Sequence, residues 1–540
     1  MEESSRTYSW TSSACPSPTT SSPLPVSSEY SEEVEMSTLE SLPAEVIANI
    51  LTFLPPISLA QVSATSRHLK AHALRDSLWA DIVRSNLPAK HKLESCKPAK
   101  SWKDLYIAHH PYWFLVRRKI WFSDEPNNGR LVLVRYDHRR GCIEGYRLLD
   151  ANGSNPQSTF QLWDYDNDVR IWSFHPKIHL FLDDPVIKLD YIEKAPENRI
   201  QEEIRMQTSI GTHHGIRSMI SLCQAIPPRL QDPSMALWPP SNIPAVHRVR
   251  NESFSQFRHK SNRPSTSRKA SDWTFRIRKW MEYSNLMRPL GTVRMGEDVA
   301  TFSTLYERLY TPTKQKPYQG IWVGDYSAHS CEFLLVLQLD QPPTSIREKR
   351  HSTGRLPSGV ALTELSSTNI KYDSDSGYSA DGSSNPSPDW HSPSECETNE
   401  AASANDQPSG CLVAIKLTGD VNVPRGQYTF IAEDISDAGL IRIADDDVFR
   451  GARIVESTGH IADQGFRDDR YITSQLIIVS HDCLAQYWPV SWVCRFQGLQ
   501  LIYDRSTDTS PTTKGSTSMN IYPSEPLRQH RMGHSTTLSA

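Results

Sequence analysis

One short stretch near the start of the chain carries apolar residues at helical spacing. In LESLPAEVIANILTFLPP the apolar positions recur at i, i+1, i+4, i+5 and i+8, which places them on one stripe of a helix. Those positions are Val46, Ile47, Ile50, Leu51 and Leu54. Pro43 suits a first helical turn, and Pro55 and Pro56 stop the helix.

The following segment, ISLAQVSATSRHLKAHALRDSLWADIV, predicts two further short helices. A three-helix unit over 38–88 buries too little surface to be secure alone and usually needs a partner. The apolar stripe therefore packs either on the rest of this chain or on another protein, and the helical pattern alone favours the first alternative.

Beyond this unit, the pattern changes to short strands. GRLVLVRYDHRRGCIEGYRLLD predicts two strands around a turn, and GIWVGDYSAHSCEFLLVLQL, CLVAIKLTGD, GQYTFIAED and SQLIIVSHDCLAQYW have the same character. Such strands predict an antiparallel barrel or sandwich. Helical patterns between about 194 and 309 (RIQEEIRMQTSI, GIRSMISLCQAI, WTFRIRKWMEY) indicate a helical and loop insertion.

The predicted class is α+β: N-terminal helices, then an antiparallel β-barrel with long insertions. We expect the barrel domain to be built in two parts, 100–340 and 411–500. Apolar residues make up only 38% of the 540 residues, and 37 are proline. Because segments rich in Ser, Thr and Pro bury too little apolar surface to fold, we predict disorder over 1–37, 341–410 and 505–540.

Composition excludes several function classes. The net charge of −4 gives no reason to expect nucleic acid, and the basic stretch QFRHKSNRPSTSRKASDWTFRIRKW is best interpreted as a linker. The nine cysteines include no CxxC pair, which indicates a reducing compartment without zinc or disulfides. No apolar run spans a membrane and no signal core opens the chain, so we expect an intracellular protein of the cytoplasm, the nucleus or both.

The N-terminal helical sequence resembles the F-box. The family opens with Leu-Pro-x-Glu and paired aliphatic residues, continues with a Val-Ser/Cys-Arg-like segment and closes with Asp-x-x-Leu-Trp. In this chain the closing spacing is one residue shorter, since only Ser77 separates Asp76 from Leu78. The matching residues here are Leu42, Pro43, Glu45, Val46, Ile47, Ile50, Leu51, Leu54, Val62, Arg67, Leu69, Asp76, Leu78 and Trp79. By this resemblance the unit docks on a Skp-type adaptor and through it on a cullin–RING ubiquitin ligase. The expected contact residues are Leu42, Pro43, Val46, Ile50, Leu51 and Leu54.

Blocks further along resemble the cyclin-D1-binding domain of the F-box-only proteins. They are HPYWFLVRRKIWFSD, GRLVLVRYDHRRGCIEGYRL, GIWVGDYSAHSCEFLLV, IKLTGDVNVPRGQYTF and GHIADQGFRDDRYITSQLIIVS. The resemblance implies a lipocalin-like antiparallel barrel that captures a protein substrate for ubiquitination, with a cyclin as one candidate.

An eight-stranded barrel can hold a peptide end or a small ligand at its mouth, where charged side chains pair with the last residues of the peptide. The candidates are Arg135, Arg140, Asp325, His329, Arg442 and Arg467. The alternative for each is a solvated charge at a turn or strand end with no role in binding. In DSDSGYSADGSSNPSPDWHSPSE, Ser376, Ser379, Ser387 and Ser392 are candidate phosphorylation sites.

The sequence contains no GxSxG, no phosphate loop and no HExxH, and we assign no catalytic residue, metal ligand or cofactor. The hypothesis is a non-catalytic substrate receptor of an SCF (Skp–cullin–F-box) ubiquitin ligase. Two alternatives stay open: an F-box protein whose barrel binds a small apolar ligand as a sensor, and an enzyme built on the barrel. An apolar interior without a basic rim favours the first, and a buried His, Asp and Glu cluster favours the second.

Overall fold

A computed structural model of the chain describes most of the residues for which strands and helices are predicted. The described residues are 39–88, 93–125, 128–150, 160–172, 174, 176–192, 199–206, 215–232, 234–251, 263–284, 292–325, 331–342, 408–488, 492–499 and 520–521. The predicted disordered segments 1–37 and 341–410, and the tail 505–540, lie wholly or almost wholly outside these ranges.

The chain divides into two compact units, one ending at Arg75 and one beginning at Asp76. The helices of the first unit are α1 (Ala44–Thr52), α2 (Pro56–Val62) and α3 (Arg67–Ala73). The second unit begins with α4 (Asp76–Ser85), α5 (Trp102–His109) and α6 (Phe114–Arg118).

The remainder of the second unit is built from strands. In the first half of the chain these are β1 (Ile120–Ser123), β2 (Leu131–Asp137), β3 (Cys142–Asp150), β4 (Phe160–Trp163), β5 (Asp166–Trp172), β6 (Ile178–Leu180), β7 (Ile187–Leu189), β8 (Ile204–Met206), β9 (Gly215–Gln224), β10 (Leu237–Trp238) and β11 (Val249–Arg250). In the second half they are β12 (Ala270–Ser284), β13 (Thr292–Ser303), β14 (Gly320–Asp325), β15 (Cys331–Leu339), β16 (Cys411–Lys416), β17 (Tyr428–Ala432), β18 (Leu440–Ile443), β19 (Arg453–Asp463), β20 (Arg467–Ser480), β21 (Cys483–Trp488), β22 (Trp492–Gly498) and β23 (Asn520–Ile521).

Ten strands form an antiparallel sheet in the order β23-β6-β3-β2-β1-β13-β12-β9-β8, with β7 also pairing with β3. Its two longest ladders pair β12 with β13 on one edge and with β9 on the other. Side chains alternate between the two faces of a strand, so Phe275 and Ile277 of β12 share one face, where both are buried. That face belongs to the core of the unit.

The strands from β14 to β22 form a closed barrel. Eight of them pair in sequence, β14-β15-β16-β17-β19-β20-β21-β22, and β22 returns to β14, while β18 adds to β19. Every pairing is antiparallel, so this is an up-and-down barrel without an open edge among its eight strands. The strand β22 that closes it has the sequence WVCRFQG.

Three apolar clusters organise the barrel. One fills its interior and draws on all eight strands, with members such as Trp322, Leu334, Phe430, Leu476 and Phe496. A second joins the outer face of β14–β17 to the ten-stranded sheet, and a third seats the β4–β5 hairpin on the outer face of β19–β21. The barrel is therefore covered outside by other parts of the same unit and packed inside over part of its length.

The α+β prediction, with N-terminal helices followed by an antiparallel barrel, is confirmed. The helical insertion predicted over 194–309 is wrong for the described residues, because the three quoted segments there contribute β8, β9 and β12. In WTFRIRKWMEY apolar residues alternate with charged ones, a pattern that also fits a strand. Pairing with β13 on one edge and β9 on the other stabilises the strand rather than a helix. The expectation that 100–340 supplies the first part of the barrel is also wrong, since the barrel begins at Gly320 and earlier strands form their own sheets.

Candidate functional site

The first unit buries one side of α1 and exposes the other. The helix begins after Pro43, whose extended backbone precedes Ala44, and ends at Thr52. Ile47 and Leu51 are buried, with Leu51 only 3% exposed, and α1 and α2 both pack against α3. These two side chains account for the core face of the helix.

The other side of the segment presents large apolar side chains to solvent. We call this set the apolar surface; it consists of Leu42, Val46, Ile50, Phe53 and Ile57. Val46 is 43% exposed and Phe53 is 77% exposed. Exposed apolar side chains concentrated in one short segment mark an interaction site more often than scattered ones do.

Of the six predicted adaptor contacts, Leu42, Pro43, Val46 and Ile50 are exposed in the structure. Leu51 is buried and Leu54 is half-buried, so Leu51 is removed from the proposed contact set and serves the core of the unit. Apolar spacing alone puts both flanks of the helix on one stripe, and only packing separates the buried flank from the exposed one. Phe53 and Ile57 were missed, although large apolar residues beside the helix-stopping prolines were visible in the sequence.

The interior of the barrel changes character along its length. The apolar interior cluster includes Leu334 on β15, Val455 on β19, Leu476 on β20 and Leu484 on β21. Side chains two residues away on a strand share the same face, so Glu332, Ser457, Ser474 and Gln486 also face inward. All four are buried. The polar positions lie toward the end made by the β14–β15, β16–β17, β19–β20 and β21–β22 connections, which we call the loop end.

A buried charged cluster lies near the loop end. The Nζ of Lys416 is 2.8 Å from Oε2 of Glu332 and 2.6 Å from Oδ2 of Asp420. The three side chains are 2%, 3% and 7% exposed, respectively. Lys416 lies directly opposite Leu334 in the β15–β16 ladder, which places it on the inward face.

The two carboxyl groups of this cluster differ in proton affinity. Burial raises the pKa of Glu332 to about 8, with the charge of Lys416 opposing the shift. Burial alone would raise the pKa of Asp420 too, but the hydrogen bond to Glu332 and the charge of Lys416 hold it well below its usual range. At neutral pH Glu332 is therefore protonated and neutral, and Asp420 is ionised.

A second interior cluster is neutral. Gln486 donates through Nε2 to Ser457 Oγ at 3.1 Å and to Ser474 Oγ at 2.5 Å, and the two hydroxyls are 2.9 Å apart. Within the described residues, Gln486 Oε1 and Trp488 Nε1 are buried without a hydrogen-bond partner. Buried polar atoms usually have a partner, so this part of the interior retains one acceptor and one donor whose hydrogen-bonding capacity is unused.

Two of the predicted peptide-binding charges serve the ten-stranded sheet. Arg135 Nε donates to Glu144 Oε1 at 2.7 Å, and Arg140 Nη2 donates to Glu144 Oε2 at 2.6 Å. Glu144 is fully buried, so both arginines neutralise it. The structure brings this pair together, but on β2, β3 and their connecting turn, outside the barrel.

The other four predicted charges have different settings. Arg442 lies on β18, with its guanidinium 3.9 Å from the ring centre of Tyr165 and near Asp446. Arg467 is exposed and opens β20 at the loop end of the barrel, and Asp325 ends β14 at that same end. His329 lies outside the described residues, as do the four candidate phosphorylation sites.

In the part of the chain that the structure describes, no group of three or more His, Cys, Asp or Glu side chains is arranged to hold a metal ion. Helices among these residues are also too short or too polar to cross a bilayer.

The described residues thus contain a helical unit with an exposed apolar surface and a closed eight-stranded barrel. Comparison with known families assigns both: residues 39–85 match an F-box-like family, and residues 302–502 match the cyclin D1 binding domain. The chain thus carries an F-box-like domain and a cyclin D1 binding domain, which confirms the resemblances inferred from the motifs.

The second match covers the barrel and leaves most of the ten-stranded sheet outside it. Two of the five blocks that carried the resemblance, HPYWFLVRRKIWFSD and GRLVLVRYDHRRGCIEGYRL, also lie outside the match. A comparison with curated proteins gave no match.

Proposed function

We propose that this protein is the substrate-recognition subunit of an SCF-type E3 ubiquitin ligase. The F-box-like domain docks on a Skp-type adaptor, and the barrel captures a protein substrate, with a cyclin as one candidate. The observation that carries the proposal is the apolar surface: Val46, Ile50 and Phe53 are exposed within the residues that match the F-box-like family. Interfaces that stay assembled bury such aliphatic and aromatic groups.

The contribution of such a subunit is proximity. A receptor that holds a substrate beside a charged conjugating enzyme raises the effective concentration of the substrate lysine without taking part in the chemistry. We therefore assign no catalytic residue to this chain and place the thioester chemistry on other subunits.

For the barrel, we propose that the substrate enters at the loop end. Support comes from the interior polar atoms of Gln486 and Trp488, which lack partners, and from the exposed Arg467 at that end. A polar peptide group satisfies such atoms, whereas a purely apolar ligand leaves them unpaired. This argues against the apolar-ligand sensor.

The alternative of a barrel enzyme would place reacting groups in the same interior. Glu332, Lys416 and Asp420 are the titratable groups of the interior cluster, and they pair with one another at hydrogen-bond distance. Their mutual pairing supports a structural role rather than a catalytic one.

The test compares full-length wild type with Ile50→Asp in cells treated with a proteasome inhibitor. We expect wild type to recover adaptor, cullin and ubiquitinated substrate together, and Ile50→Asp to recover substrate without adaptor. Asn49→Asp, an exposed neighbour on the same helix, is the matched control and should behave as wild type. Equal recovery of adaptor by wild type and Ile50→Asp would contradict the proposal.

A further inference from the structure

The connection between β16 and β17, residues 417–427, is fastened to its surroundings at many points. Phe333 N donates to Thr418 Oγ1 at 2.8 Å, and Gly465 N donates to Val421 O at 2.7 Å. Arg425 Nη2 donates to Asp124 O at 2.7 Å, which ties the loop to the segment that follows β1. We call residues 417–427 the mouth loop. It joins the loop end of the barrel to the ten-stranded sheet.

The buried charges hold the centre of this loop. Asp420 Oδ1 accepts hydrogen bonds from the backbone N–H groups of Asn422 and Val423, both at 2.6 Å. Its other oxygen, Oδ2, meets Lys416 Nζ, which also meets Glu332. The turn at 420–423 is thus anchored through Asp420 to β16 and through Lys416 to β15.

The cluster holds two carboxyl groups against one ammonium group. If all three were ionised, one negative charge would be left over in a nearly water-free interior, where an unpaired charge costs several kcal/mol. A site of this kind keeps a proton instead, and the raised pKa of Glu332 agrees with that conclusion.

Other charged or titratable groups lie around the cluster. His460 on β19 lies close enough to Lys416 for the lysine charge to lower the pKa of its ring, and its Nε2 is 3.5 Å from Oδ2 of Asp469 on β20. Burial lowers the pKa of His460, so this ring is neutral at neutral pH and supplies no second cation. On the other edge of β15, Glu332 is opposite Gly324 of β14, which has no side chain to contribute.

We propose that Glu332, Lys416 and Asp420 form a proton-dependent latch: the mouth loop is held against the barrel while the two carboxyl groups share one proton, and it opens more readily once that proton is lost. The latch is a property of the barrel and does not depend on the ligase assignment. If the barrel also takes up a substrate at its loop end, the latch controls how readily the mouth loop opens to admit it.

The sign of the pH dependence follows from the proton count. In the closed loop Glu332 is protonated up to a pKa of about 8, whereas in the opened loop a solvated glutamate has a pKa near 4.5 and is ionised. The free energy that holds the loop closed therefore decreases as pH rises toward about 8, and it changes little above that pH. Asp420 is ionised in both states over this range and does not contribute.

Amide hydrogen exchange on the full chain tests the latch. The probes are the Asn422 and Val423 amides, followed from pH 6.5 to 8.5 after correction for base catalysis of exchange. We expect their protection in wild type to fall about 25-fold over this range. The control is the Leu499 amide, bonded to Ile321 O at the opposite end of the barrel. A local opening there leaves Glu332 buried and protonated, so exchange through it should not show this fall.

Two variants remove the excess charge by different routes. Glu332→Gln copies the protonated acid, and Asp420→Asn leaves Glu332 to pair with Lys416 alone while its amide oxygen still accepts from the loop. Both should hold the protection of Asn422 and Val423 constant with pH and fold at least as stably as wild type at pH 8. Constant protection in wild type, an equal fall in all three proteins, or failure of either variant to fold would overturn the proposal.

Discussion

At the scale of single residues, one lysine neutralises most of the charge inside the barrel. Replacing Lys416 by methionine keeps the length of the side chain but leaves two buried carboxyl groups without a cation. Removing one partner of a buried ion pair costs about 3–5 kcal/mol. We expect Lys416→Met to lower the free energy of unfolding by an amount of that order, measured by urea denaturation at pH 7.

The matched control for this change is Lys316→Met. Lys316 pairs with Asp340 at 3.5 Å, but the aspartate is 84% exposed, and exposed pairs contribute little. We expect this variant to lie close to wild type. Equal losses of unfolding free energy in the two variants would mean that the buried cluster contributes no more to stability than the exposed pair.

His109 gives a second residue-scale prediction. Its ring is buried between Trp113 and Tyr136, with Nε2 2.9 Å from Gly141 O, and burial lowers its pKa to about 4. The folded protein therefore binds fewer protons here than the unfolded chain between pH 6.5 and 4, so stability falls as pH falls through that window.

Thermal unfolding between pH 7 and 4 measures this loss. His109→Gln keeps a donor toward Gly141 O without a group that titrates in the range, so its melting temperature should decline less steeply than that of wild type. Parallel curves for the two proteins would show that another group causes the acid sensitivity.

At the scale of elements, the barrel depends on a close approach between β19 and β21. A Cβ at Gly459 would lie 2.2 Å from a ring carbon of Trp488, a distance that requires the indole to move. Because overpacking a filled interior costs about 1–3 kcal/mol, we expect Gly459→Ala to lower the free energy of unfolding by that amount. Chemical denaturation measures the change.

Gly498→Ala on β22 is the control, since a Cβ there would meet its nearest neighbour at 3.6 Å, an ordinary contact. It should unfold like wild type. If Gly459→Ala were equally neutral, Trp488 would have to be free to rearrange.

The elements also show what the sequence could and could not predict. The helix at Ala44–Thr52 and the strands around GIWVGD and CLVAIK followed from apolar spacing and turn residues, because these segments satisfy local rules. The strand β12 did not, since its mixed aromatic and basic residues suit a helix equally well until β9 and β13 supply partners on both edges.

The interior site was beyond sequence reasoning for a related reason. In the sequence, Glu332 and Lys416 are single charged residues beside long apolar runs, and this was the only sign that they are buried. Their pairing depends on the register of β15 against β16 and on the turn at Asp420, which the sequence does not reveal. The arginines at 135 and 140 carried the same kind of signal and proved to neutralise Glu144 instead.

At the scale of the whole molecule, the chain carries a small helical unit with an exposed apolar surface and a large β unit with a closed barrel. The two units correspond to two expected tasks, docking on an adaptor and capturing a substrate. The ten-stranded sheet adds a third element, because it covers the outer face of the barrel and anchors the mouth loop through Asp124.

The most direct test of the central claim is a calorimetric titration of the purified full-length protein with a purified Skp-type adaptor. We expect saturable binding by wild type and by Asn49→Asp. Ile50→Asp and Phe53→Asp should lose at least a hundredfold in affinity, with helix content unchanged by circular dichroism. Wild-type affinity in both apolar-surface variants, or no adaptor binding by the wild type, would contradict it.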